Sequence, residues 1–221
     1  MAKSALLKSS IAKKVAMALS GLFLILFLAQ HFFINSTSVF SPDTFNMISH
    51  FMGNNPVVQF VIQPILIVGV IFHFAMGIVL EIQNNNARPI NYAKNNGAAN
   101  SSWASRNMII SGLVVLAFMF LHFYDFWVPE IVYKYIEVKP LDETRYFEEL
   151  THKFVNPIRT SIYCASFVLL ALHLWHGFNS SFQSVGFNNK YSKSLTNFAY
   201  GFAIVVPVGF VFIALFHHFN H

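Results

Sequence analysis

Five apolar runs of about twenty residues, set apart by short charged or amide-rich stretches, dominate this 221-residue chain. They cover Val15–Ile34, Val57–Ile82, Met108–Val128, Ile158–Phe178 and Phe198–Phe219. At about 1.5 Å of rise per residue, each run as a helix crosses ~30 Å of hydrocarbon. Hydrocarbon offers a backbone no water to bond, so only helices and closed barrels span it, and runs this long select helices. The expected fold is all-α: an integral membrane bundle of five transmembrane helices, with residues 1–221 in one membrane domain and no internal repeat. Composition agrees. Charged residues make up 10% of the chain, against about 25% in soluble domains.

Charge sets the expected orientation. The N-terminal side of the membrane receives Lys3, Lys8, Lys13, Lys14, Arg88, Lys94, Arg106, Lys190 and Lys193. The opposite side receives Lys134, Lys139, Arg145, Lys153 and Arg159, with every acid except Glu81. The positive-inside rule counts Lys and Arg, and places the N-terminus in the cytoplasm of a bacterial inner membrane and the C-terminus outside. The net charge of +5 then reports topology and gives no reason to invoke nucleic acid. Lys13 and Lys14 precede the first run as in a signal peptide, but the run outlasts a secretory h-region and no A-x-A-like site follows, so a retained helix is expected. The single cysteine, Cys164, allows no intrachain disulfide, and no C-x-x-C-H is present for covalent haem attachment. A packing role suits it.

Ser41-Pro42, Asn55-Pro56 and Asn156-Pro157 each pair a capping residue with proline at the first helical position. Residues 41–53 read as a short outer helix closed by Gly53, with Phe45, Ile48 and Met52 toward lipid or the bundle. In residues 143–155, Tyr146, Leu150 and Phe154 recur at four-residue spacing beside Glu148, Glu149 and Lys153. That pattern suits a helix lying in the membrane interface, and equally a solvated acidic loop. Gln83–Trp103 reads as an inner loop anchored by Trp103.

Ionisable side chains inside a bilayer are costly and rare, so each one marks a candidate site. The first four spans each carry one such histidine. Counted from the inner edges, His31 and His122 lie roughly 26 and 24 Å deep, and His73 and His173 both roughly 15 Å. Two layers about 10 Å apart result. Paired imidazoles in apolar surroundings match axial ligation of haem iron, and two layers suggest two stacked haems. Gly69, Gly77 and Gly177 lie four residues from the inner histidines and leave flat space for a porphyrin. A lone membrane histidine can instead serve as a helix–helix hydrogen-bond partner. His176, one turn beyond His173, is an alternative ligand or a propionate contact; matched depth favours His173. His50, His152 and the C-terminal His217, His218 and His221 read as surface residues. Asp125 and Glu81 sit at span ends.

The five spans, the ligand order and the segments His73-Phe-Ala-Met-Gly77 and His173-Leu-Trp-His-Gly177-Phe-Asn-Ser-Ser-Phe182 resemble the di-haem cytochrome b subunit of succinate dehydrogenase and fumarate reductase, in its single-chain cytochrome b558 type. Ala87-Arg88-Pro89-Ile90-Asn91-Tyr92, Ser105-Arg106 and Ser111-Gly112 are similar to that family as well. The resemblance implies two non-covalent haems b, with His73 and His173 on a proximal haem and His31 and His122 on a distal one. It implies a membrane anchor carrying electrons between an iron–sulfur subunit, bound with a flavoprotein subunit on the cytoplasmic face, and membrane menaquinone. Arg88, Ser105 and Arg106 would contact proximal propionates or the iron–sulfur subunit, or else be solvated. Asn35, His50, Asp125 and Arg159 are candidates for an outer quinone site. Some fumarate reductases of this type carry a glutamate two residues before the fourth-helix ligand; Ala171 stands there, which favours the succinate-oxidising direction. Two alternatives stay open: the cytochrome b subunit of a hydrogenase or formate dehydrogenase, and a haem-free transporter or assembly protein.

Overall fold

The computed structural model describes residues 9–86, 107–187 and 189–220, in which there are seven helices. They are α1 (Ser10–Phe40), α2 (Pro42–Asn54), α3 (Val58–Asn86), α4 (Met108–Ile136), α5 (Arg145–Val155), α6 (Pro157–Ser184) and α7 (Ser192–Phe219). The five long ones are apolar enough to cross a membrane, so the chain is a multi-pass membrane protein. Arg88, Arg106, Ser105 and Trp103 lie outside the described residues.

Every predicted span is present, and most run longer than the apolar stretch that announced them. The last turns of α1 are polar, yet they stay helical. Asn35, Ser36, Thr37 and Ser38 each donate a side-chain hydrogen bond to a carbonyl three or four residues back, so their polar atoms are satisfied within the helix itself. Three predicted caps are in place: Ser41 accepts from the Thr44 amide, Asn55 from Val57 and Val58, and Asn156 from Ile158 and Arg159. Gly53 does not close α2, which continues through Asn54.

The loop expected to start at Pro129 is helical to Ile136. Phe123–Trp127 forms a π-helical turn in which the Val128 amide bonds five residues back to Phe123. A wider turn just ahead of a proline absorbs the missing amide and the ring, and lets the helix continue. Asp125 lies in that turn. It is 1% exposed and held inside the bundle.

Helix α6 packs on α1, α4 and α7, while α1 also packs on α3 and α7. Ala199 and Ala203, fully buried and one turn apart on α7, let that helix approach closely, as small residues do between membrane helices. The far end of the bundle is capped by α2 and α5. Leu150 and Phe154 of α5 join Phe45 of α2 in a buried cluster with Tyr163, Phe167 and Phe210. The apolar stripe of residues 143–155 therefore makes a helix, and that helix turns its stripe onto the bundle. His217 and His218 also depart from expectation, while His221 lies outside the described residues. His217 is 2% exposed, with Nε2 2.8 Å from Ser38 Oγ, and His218 bonds through Nδ1 to the Phe154 carbonyl at 2.7 Å. Both lock α7 to its neighbours.

Candidate cofactor sites between the helices

Four of the membrane histidines meet in two pairs. His31 of α1 faces His122 of α4, with ring centroids 5.7 Å apart and planes at 88°. His73 of α3 faces His173 of α6 at 6.4 Å and 75°. An imidazole nitrogen sits ~2 Å from the metal it ligates, with the ring centre about 1 Å behind it. A metal held axially between two imidazoles therefore spaces their centroids by about 6 Å. Both pairs meet that spacing. Among the described residues no three His, Cys, Asp or Glu side chains gather to hold a bare metal ion. Two neutral donors per site suit the axial positions of an iron porphyrin; a structural zinc would need four protein ligands.

The inner pair is oriented from behind. His73 Nδ1 lies 3.0 Å from Ser20 Oγ of α1, and His173 Nδ1 lies 3.2 Å from Ser111 Oγ of α4. Each serine hydroxyl already donates to its own helix, Ser20 to the Met17 carbonyl at 2.8 Å and Ser111 to the Met108 carbonyl at 2.9 Å. With that proton so placed, the serine oxygen can accept from Nδ1–H, the tautomer that leaves Nε2 with the lone pair. Gly21 and Gly112 follow these serines, and a methyl on either would come within 3.4 or 3.5 Å of the histidine Cε1.

Spacing along α1 and α4 is the same. Both carry Met-x-x-Ser-Gly-Leu-x4-Phe-x3-His, as Met17 to His31 and as Met108 to His122. Helices α3 and α6 share a shorter His-x3-Gly, ending at Gly77 and Gly177. Those glycines receive Met17 and Met108: an added methyl would lie 3.6 Å from Met17 Cε and 2.9 Å from Met108 Cε. Gly69 faces Phe23. The three glycines expected to open porphyrin space instead seat side chains of α1 and α4. An internal repeat is therefore present, against expectation. It escapes a linear reading because its fixed positions are few and its meaning lies in contacts between helices. Ser20 and Ser111 were missed for the same reason. Eleven residues separate each serine from the histidine on its own helix, about 16 Å of rise.

Aromatic rings wall the outer pair. Phe27 stacks on His31 at 5.4 Å and Phe210 lies at 5.8 Å, while Phe118 and Phe126 flank His122 at 5.8 and 5.2 Å. Asn35 bonds to the His31 carbonyl at 2.8 Å and lies 3.4 Å from the ring's Nε2. His122 Nδ1 is buried without a hydrogen-bond partner among the described residues. Beside this pair, Asp125 takes an ion pair from Arg159 and a 2.7 Å hydrogen bond from Tyr163, whose ring lies 6.4 Å from that of His122. The ring that faces His73 is that of His173, the ligand favoured by matched depth over His176.

His50 stands elsewhere, on α2 against Tyr146 at 4.8 Å. His50 is half-buried: its Nδ1 lies 3.4 Å from the Asn54 amide nitrogen, while its Nε2 is buried with no hydrogen-bond partner among the described residues. It borders a cavity of about 110 Å³ with Tyr133, Lys134, Arg145 and Tyr146. Arg145 is sandwiched between Tyr133 and Tyr146 at 4.1 and 4.3 Å and pairs with Glu130 and Glu149. Burial, then the Glu130 carboxylate, push the Tyr146 phenol up. Burial also raises Glu149, against the opposing pull of Arg145. Of the four quinone-site candidates, the structure unites only Asp125 and Arg159. No family model, curated protein or solved structure matches the chain.

Proposed function

We propose that this chain is the di-haem cytochrome b anchor of a succinate:quinone oxidoreductase of a bacterial inner membrane. The observation that carries the reading is the two pairs of facing imidazoles at 5.7 and 6.4 Å, on four helices of one bundle. When bound, two haems b would supply one-electron carriers between an iron–sulfur cluster and membrane menaquinone. His73 and His173 would hold the haem nearer the N-terminal, cytoplasmic side, where a flavoprotein and an iron–sulfur subunit dock. His31 and His122 would hold the distal one. The phenylalanines around the outer pair keep water from the site. Asp125 and Arg159, beside His122, are the polar groups best placed for an outer quinone. The resemblance of the two histidine segments to the cytochrome b558 type favours this complex over a hydrogenase or formate dehydrogenase subunit.

Haem content tests the reading. The full chain, purified in mild detergent, is expected to give two haems b by pyridine haemochrome, and His73→Ala or His173→Ala to leave one. His176→Ala should keep both. Fewer than two haems in the parent protein rejects the di-haem wire, and a mild-detergent pull-down without a flavoprotein and an iron–sulfur protein rejects the complex.

A further inference from the structure

The inner and outer histidine pairs differ in what stands behind them. Both inner imidazoles have a serine oxygen at Nδ1, at 3.0 and 3.2 Å, and both serines spend their own proton on a helix carbonyl. In the outer pair His122 Nδ1 is buried with no hydrogen-bond partner among the described residues. The polar neighbour of the His31 ring is the Asn35 amide nitrogen, at 3.4 and 3.5 Å, which is a donor. No acceptor is placed behind either outer ring by these contacts. The asymmetry is built from a symmetric part, because the repeat on α1 and α4 supplies one serine to the inner layer and one histidine to the outer layer from each helix.

We infer that Ser20 and Ser111 are positioning residues for the inner site: each fixes its histidine as the Nδ1–H tautomer with Nε2 aimed at the facing ring, and makes that imidazole a stronger donor to the iron. The inference rests on the haem reading above. A partner accepting from the distal nitrogen of a metal-bound imidazole fixes the ring and raises its basicity. A more basic ligand favours the oxidised metal, so these serines hold the inner haem's midpoint potential down. No such contribution reaches the outer haem. The two serine–histidine hydrogen bonds also tie α1 to α3 and α4 to α6 at the level of the inner site, so the serines keep each ligand helix in register with its neighbour.

The test uses the purified full chain, with haem content, optical spectrum and redox titration as readouts. Ser20→Ala, Ser111→Ala and the double variant are expected to raise the midpoint potential of one haem, most in the double variant, while the other titrates unchanged. Ser20→Thr and Ser111→Thr keep a hydroxyl and should restore the parent potential. Two haems with unaltered potentials in the alanine variants overturn the inference and leave the haem reading standing. If the alanine variants lose the inner haem, recovery by threonine supports the inference, and failure to recover means the serines act by volume alone and overturns it. A parent chain without haem refutes the reading itself.

Discussion

At the scale of single residues, the informative side chains are polar ones taken out of water. Asp125 is 1% exposed, and its carboxylate is shared between Arg159 and Tyr163. Removing one member of a buried pair leaves the other uncompensated. Asp125→Ala should therefore lower stability by about 3 kcal/mol, toward the modest end because Arg159 keeps partial access to solvent. Asp125→Asn retains an acceptor for the Tyr163 hydroxyl and should cost less. Thermal unfolding in detergent reads both, and equal midpoints for the parent and Asp125→Ala would sink the claim that the pair braces the outer layer. Their places inside the apolar spans and their matched depths made His31, His73, His122 and His173 legible. Asp125 was legible only as a residue near a span end, because the π turn that carries it inward depends on Pro129 and the packing around it. His217 reads as a surface residue in the sequence because its neighbours there say nothing about Ser38, 179 positions away.

Between elements, small residues and their partners decide how closely helices lie. Two glycines at related places make a contrast. A methyl at Gly69 would sit 2.8 Å from Phe23 Cε1 and 3.1 Å from its Cδ1, a rigid ring edge. A methyl at Gly177 would sit 2.9 Å from the terminal carbon of Met108, which can swing aside. Gly69→Ala should push α3 off α1 and cost about 1–3 kcal/mol, as overpacking does, whereas Gly177→Ala should change the unfolding midpoint little. Similar losses in the two variants would contradict this account. The elements themselves were largely readable: apolar length gave five spans, and Ser41, Asn55 and Asn156 marked three starts. Their ends were not, since the polar turn of α1 closes its hydrogen bonds on itself and the π turn carries α4 past a proline. Residues 145–155 showed an amphipathic helix, but the pattern alone does not tell whether lipid or protein receives the apolar stripe.

At the scale of the molecule, a chain whose basic residues crowd the N-terminal side should insert with that side in the cytoplasm. In a Cys164→Ala background, a membrane-impermeant maleimide is expected to label His152→Cys on intact spheroplasts and to label Asn85→Cys only after permeabilisation. The reverse pattern would invert the orientation, and with it the assignment of the inner layer to the electron-donating side. The sequence by itself determined the number of spans, their approximate depth registers and the presence of four intramembrane histidines, because bilayer thickness and the cost of buried polar groups act on a chain locally. Depth along the spans already set His31 with His122 and His73 with His173; only the tertiary structure decided that Ser20 and Ser111 stand behind the inner pair with nothing comparable behind the outer one among the described residues, and that α1 with α3 repeats as α4 with α6. Those relations exist between helices, where one side chain must meet another at about 3 Å, and no spacing along one strand of sequence fixes such a meeting.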